Sequence, residues 1–147
     1  MKTRIHAIAG FVAFIMIALF WTSTVLVEIL GTYEAVATVK SLILLGMIVL
    51  IPAMAIVGAT GMSLGAGRRD RLTKAKKTRM PLIAGNGILI LVPAAFFLAA
   101  RANAGVFDTW FYAVQALELV AGTANITMMG LNIRDGLMMT RRIRRAA

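Results

Sequence analysis

Residues 115–132, QALELVAGTANITMMGLN, place Gln115, Glu118, Asn125 and Asn132 in a stretch otherwise apolar enough to lie in a membrane. Set at 100° intervals, Gln115, Glu118, Gly122, Asn125, Met129 and Asn132 share an arc of about 100° on one helix. An exposed carboxylate at that depth costs at least ~2.5 kcal/mol, so the stripe must face protein, a cofactor or water. Matching faces recur on three other segments: His6, Gly10, Thr24 and Glu28; Lys40, Met47, Met54 and Gly61; Asn86, Pro93, Phe97 and Arg101. Sorted by depth, the polar residues form two groups. Glu28, Lys40, Arg101, Gln115 and Glu118 lie toward one side, and His6, Asn86, Asn125 and Asn132 toward the other.

The first group can do ion-pair or proton chemistry. Lys40 can pair with Glu28 or Glu118 and fix helix register, a structural role that is costly to break. Glu118 can equally hold a proton, or hydrogen-bond a quinone or a transported solute, depending on whether burial or Lys40 dominates its environment.

In the second group His6 is the only histidine. The stretch RIHAIAG resembles the His-plus-downstream-Gly pattern of membrane b-type cytochromes, over a handful of residues. That resemblance implies haem b, with His6 as the metal ligand and Gly10 leaving room for the porphyrin. Asn86, Asn125 and Met129, at suitable depth, complete the expected cofactor site. The chain departs from the pattern in having no second histidine, so a second ligand would come from Met62, Met80 or Met129, or from His6 of another copy. The plainer alternative is a hydrogen-bonded interfacial histidine.

These residues need elements to carry them. Four apolar runs, about 5–30, 36–62, 81–101 and 109–133, each reach the roughly 20 residues that a helix needs to cross hydrocarbon. With 60% hydrophobic and 15% charged residues and a mean hydropathy of +0.84, the expectation is an all-α integral membrane protein. It is an antiparallel four-helix bundle in a single domain, 1–147. A basic cytoplasmic loop at 63–80 and a basic cytoplasmic tail at 134–147 complete it. The first run is too long for a signal-peptide core and lacks a small-residue cleavage motif, so it is expected to stay as a helix. Pro81 is expected to open the third helix, Pro52 and Pro93 to bend helices from inside, and Asp108 to cap the fourth.

Charge orients the bundle. Of sixteen Lys and Arg residues, fourteen sit at Lys2 and Arg4, in RRDRLTKAKKTR at 68–79, or at Arg134 and RRIRR at 141–145. The positive-inside rule then places both termini in the cytoplasm of a bacterial-type inner membrane, with the basic surface against anionic lipid headgroups. No aromatic platform accompanies the +10 charge, which argues against nucleic acid. The lack of cysteine removes thiol chemistry, and no H-E-x-x-H, P-loop or nucleophile arrangement is present. Gly58, Gly61 and Gly65 suit close helix packing or a homo-oligomer. The expected function is binding of haem b or quinone in electron transfer. The alternatives are a proton-coupled transporter using Glu118, Glu28 and Lys40, and a non-catalytic subunit of a membrane partner protein.

Overall fold

The computed structural model describes residues 1–67 and 69–146, with side chains to 140. Four helices account for nearly all of it: α1 (Lys2–Leu30), α2 (Tyr33–Gly65), α3 (Arg71–Asn103) and α4 (Thr109–Ala146). No strand occurs among the described residues. Each helix packs on its sequence neighbours and α4 closes back on α1. The backbones of the diagonal pairs, α1 with α3 and α2 with α4, stay apart. The bundle is antiparallel. One end carries the turns at 31–32 and 104–108 (the turn end), and the other carries both termini and the α2–α3 connection (the basic end).

Local chemistry sets the boundaries. Thr32 accepts from the Ala35 amide at 3.3 Å and starts α2. Asp70 starts α3 by accepting from both the amide and the hydroxyl of Thr73, at 3.0 and 2.8 Å. Asp108 accepts from the Phe111 amide at 3.0 Å and starts α4 as expected. Gly105, with φ of +69°, turns the chain out of α3 through a left-handed conformation that a side chain would resist.

Two expected boundaries are corrected. The third helix begins at Arg71, so most of the expected loop 63–80 is helical and Pro81 lies within the helix. Asp70 supplies a stronger start signal than Pro81, and Lys and Arg are good helix formers once capped. The expected tail at 134–147 continues α4 to Ala146. Arg68, Ala147 and the side chains of the RRIRR run lie outside the described residues.

α1, α2 and α3 are long and apolar enough to cross a membrane. Their outer faces carry Phe11, Leu19, Leu45, Ile48, Leu89 and Phe96, all exposed, a surface suited to lipid and not to water. α4 runs beside them along the whole bundle. Its hydropathy is diluted by the polar residues that it turns inward, while Leu117 and Val120 face out. Thr123 and Thr127, also outward, donate to the carbonyls of Leu119 and Thr123 on their own helix, both at 2.8 Å. Their hydroxyls therefore need no water.

The interior has three apolar layers: Val36, Leu98, Ala102 and Phe111 at the turn end; Ile43, Met47 and Ala95 in the middle; and Ala13, Ile17, Ala53, Ile83 and Met129 toward the basic end. One segment breaks regularity. Gly87–Leu91 is a π-helical turn in which the Val92 amide donates to the Gly87 carbonyl. Pro93 explains it: proline has no amide for the Leu89 carbonyl and crowds that turn, so the helix widens just before it.

Candidate functional site

Residues from three helices meet at the turn end. The Lys40 side chain, fully buried, crosses the diagonal from α2 and donates to Glu118 Oε2 on α4 at 2.6 Å and to Thr24 Oγ1 on α1 at 3.4 Å. A lysine is long enough to bridge helices whose backbones do not approach. Gln115 Nε2 donates to the same Glu118 oxygen at 2.9 Å. Glu28 lies within electrostatic reach of Lys40 and Glu118. Two acceptors here are buried without a donor, Glu28 Oε1 and Gln115 Oε1. Of the five residues expected to cluster, Arg101 stands aside. Its guanidinium pairs with Asp108 and lies 5.1 Å above the Phe97 ring. The Asp108 carboxyl is held below its ordinary range, first by the Phe111 amide and then by Arg101.

Next to this network a groove of about 500 Å³ runs along α2. Trp21, Thr24, Glu118, Gly122 and Asn125 of α1 and α4 form its back wall, and α2 and the π-helical stretch of α3 form its flanks. Its α2 wall extends from Ile43 to Met62, about 28 Å at the helical rise. The walls are almost wholly apolar; Thr24 and Glu118 mark one end and Asn125 the middle. Ile51, Met62 and Ile88, on its rim, are exposed, so it opens sideways between α2 and α3 toward lipid. A side chain added at Gly58 would meet nothing within 4 Å. The Trp21 indole donates to the Leu119 carbonyl at 3.1 Å and its ring rests against Gly122, which locks the back wall.

The remaining polar residues form three separate contacts and not one site. His6 Nδ1 lies 2.9 Å from Thr60 Oγ1, whose hydroxyl reaches on to the Ile56 carbonyl at 2.5 Å. Asn86 donates to the Ala121 carbonyl and to Asn125 Oδ1, both at 2.8 Å, clamping α3 to α4 just before the π turn. Arg79 donates to Asn132 at 3.2 Å and to Asp135 at 2.7 Å.

The residues expected around haem do not gather around one cavity. Of His6, Gly10, Asn86, Asn125 and Met129, only Asn125 touches the groove. Gly10 packs near Val57, and Met129 is buried in the lower core layer. Met80 and His6 both pack over Gly61, where an added Cβ would lie within 3.3 Å of both side chains.

Sequence reading missed Thr24 and Trp21 as wall residues and Asp135 as the partner of Arg79. Thr24 did fall on the inward face of its helix. Nothing in local sequence signals which side chain an indole or guanidinium will reach across a bundle. Comparison of the chain with protein-family models, curated proteins and solved structures finds no match.

Proposed function

We propose that this membrane protein binds a lipid-soluble quinone in the groove between α2 and α3, in a bacterial-type inner membrane with both termini cytoplasmic. The observation that carries the reading is the groove itself: long, apolar, open toward lipid, and ended by polar groups. An isoprenoid tail suits its length, because apolar ligands are held by concave apolar walls with a few placed polar groups. At the polar end the Thr24 hydroxyl, which accepts from Lys40 and lines the groove, keeps its own hydrogen to donate to a quinone carbonyl. Orientation in the membrane rests on the clustering of basic residues at one end.

Trp21 on the back wall is a built-in reporter, once Trp110 is replaced by Phe. A short-tailed quinone analogue added to that protein in detergent is expected to quench Trp21 saturably. Gly58→Leu, which fills the open space at that position and favours the helix, is expected to weaken quenching at least tenfold. Linear quenching that Gly58→Leu leaves unchanged would mean partition into detergent and would end the proposal. Equal displacement by a saturated fatty acid would make the occupant an acyl chain and end the quinone assignment.

A further inference from the structure

At the basic end, the seam between α3 and α4 gathers more positive charge than it neutralises. Asp135 is buried there and takes Arg79 of α3 on one carboxylate oxygen at 2.7 Å and Arg134 of its own helix on the other at 3.3 Å. Lys76 stands one turn before Arg79 on α3 and reaches the same place. Its Nζ lies 3.5 Å from the point where a Cβ would sit at Gly136, the residue after Asp135. The glycine leaves room for the ammonium. Three cations thus meet one carboxylate, a surplus of two positive charges. Lys76 is half-buried and within electrostatic reach of His6, Arg79 and Asp135. Among the described residues no acceptor lies within hydrogen-bond distance of its ammonium, which has three hydrogens to place. Arg79 donates through Nη1 alone, and Arg134 through Nε and Nη2, so each guanidinium keeps further N–H groups.

The level of these groups points to their partner. Arg79 stands two residues before Pro81 and Lys76 five, about 3 and 8 Å at the helical rise, and Arg134 directly follows the apolar run of α4. All three lie where hydrocarbon gives way to headgroups. Water would meet the donors and leave the charge, and chloride would cancel one charge without offering several acceptors. A phosphate offers oxygens to an ammonium and to guanidinium groups at once, and basic pockets between membrane helices suit lipid headgroups. We infer that Lys76, Arg79 and Arg134 form a binding site for the phosphate headgroup of an anionic phospholipid. The site lies on the α3–α4 seam, away from the α2–α3 opening of the groove, and does not depend on what the groove holds.

The test is thermal unfolding of the full chain in a nonionic detergent at fixed ionic strength. Phosphatidylglycerol is compared with phosphatidylcholine of the same chains, which has the phosphate but no net charge. At about ten times its dissociation constant phosphatidylglycerol is expected to raise the midpoint by about 3 °C, and phosphatidylcholine to leave it unchanged. Lys76→Met keeps the bulk, removes the ammonium and should abolish the rise. Lys74→Gln removes an exposed charge on the same stretch of α3 and should leave the rise intact. Arg134→Gln alters a mostly exposed side chain, should at least halve the rise, and decides the matter if Lys76→Met does not fold. Inorganic phosphate without lipid should have no effect. No rise, an equal rise with both lipids, a rise that survives Lys76→Met or Arg134→Gln, or one lost equally in Lys74→Gln would each overturn the inference. Equal stabilisation by inorganic phosphate would make the ligand a soluble anion and end the lipid assignment.

Discussion

α4 carries the same local device twice. At the turn end QALE places Gln115 three residues before Glu118; at the basic end NIRD places Asn132 three residues before Asp135. In each, an amide stands one turn from a carboxylate that receives a cation from another helix: Lys40 on Glu118 at 2.6 Å, Arg79 on Asp135 at 2.7 Å. Their surroundings are opposite. Asp135 takes Arg79 on one oxygen and Arg134 on the other, at 3.3 Å, so its charge is more than answered. Glu118 shares one ammonium with Glu28, and two acceptors nearby have no donor. One pattern is therefore fully answered where cations are abundant and leaves acceptors without donors where they are scarce.

The sharpest way to break this comparison is to remove each cation or its partner. Lys40→Met strands two carboxylates in the interior and is expected to destabilise the bundle by about 3–5 kcal/mol, read as lost yield or a lowered unfolding midpoint in detergent. Adding Glu118→Leu should recover much of that loss, because the pair holds register more than it stabilises. Asp135→Asn keeps the shape and leaves Arg79 and Arg134 near water, so the expected cost is smaller, about 1–3 kcal/mol. If the two losses prove equal, the contrast drawn between the ends fails.

Acid sharpens the same contrast. Asp135, beyond the apolar part of α4, has its carboxyl held below the ordinary range, chiefly by the hydrogen bond from Arg79. A depressed carboxylate contributes stability that is complete above its unfolded-state pKa and lost as pH falls through the folded one. Unfolding midpoints should therefore drop as pH falls below about 4, and Asp135→Asn should flatten that part of the profile. The smallest effect is expected at Arg101–Asp108, a pair at the turn with both side chains partly exposed. Arg101→Gln should change stability by no more than about 1 kcal/mol, since the N-cap bond from Asp108 to Phe111 is untouched.

Much of the fold was legible in the chain. The four apolar runs located the helices, because crossing hydrocarbon demands length and leaves no alternative for the backbone. Asp108 announced the start of α4, while Asp70 was overlooked beside the more conspicuous Pro81. The inward stripe on α4 was legible too, since polar residues at helical spacing have only one place to go in a membrane. The Lys40–Glu118 pairing was one of two open choices.

What the sequence by itself determined is therefore the helices, their alternation and which face of each turns inward; these follow from the period of the helix and the cost of polar groups in lipid. Only the tertiary structure decided which inward residues meet. His6, Asn86 and Asn132 fall in one group by position in the sequence and go to three different partners, Thr60, Asn125 and Arg79. Arg101 leaves the cluster for Asp108, and the groove lies against the π-helical turn before Pro93, with Gly58 and Gly87 on its flanks. Depth along a helix is a property of residue number. Contact across a bundle depends on how far apart the axes stand, and that distance is set by packing among all four helices at once.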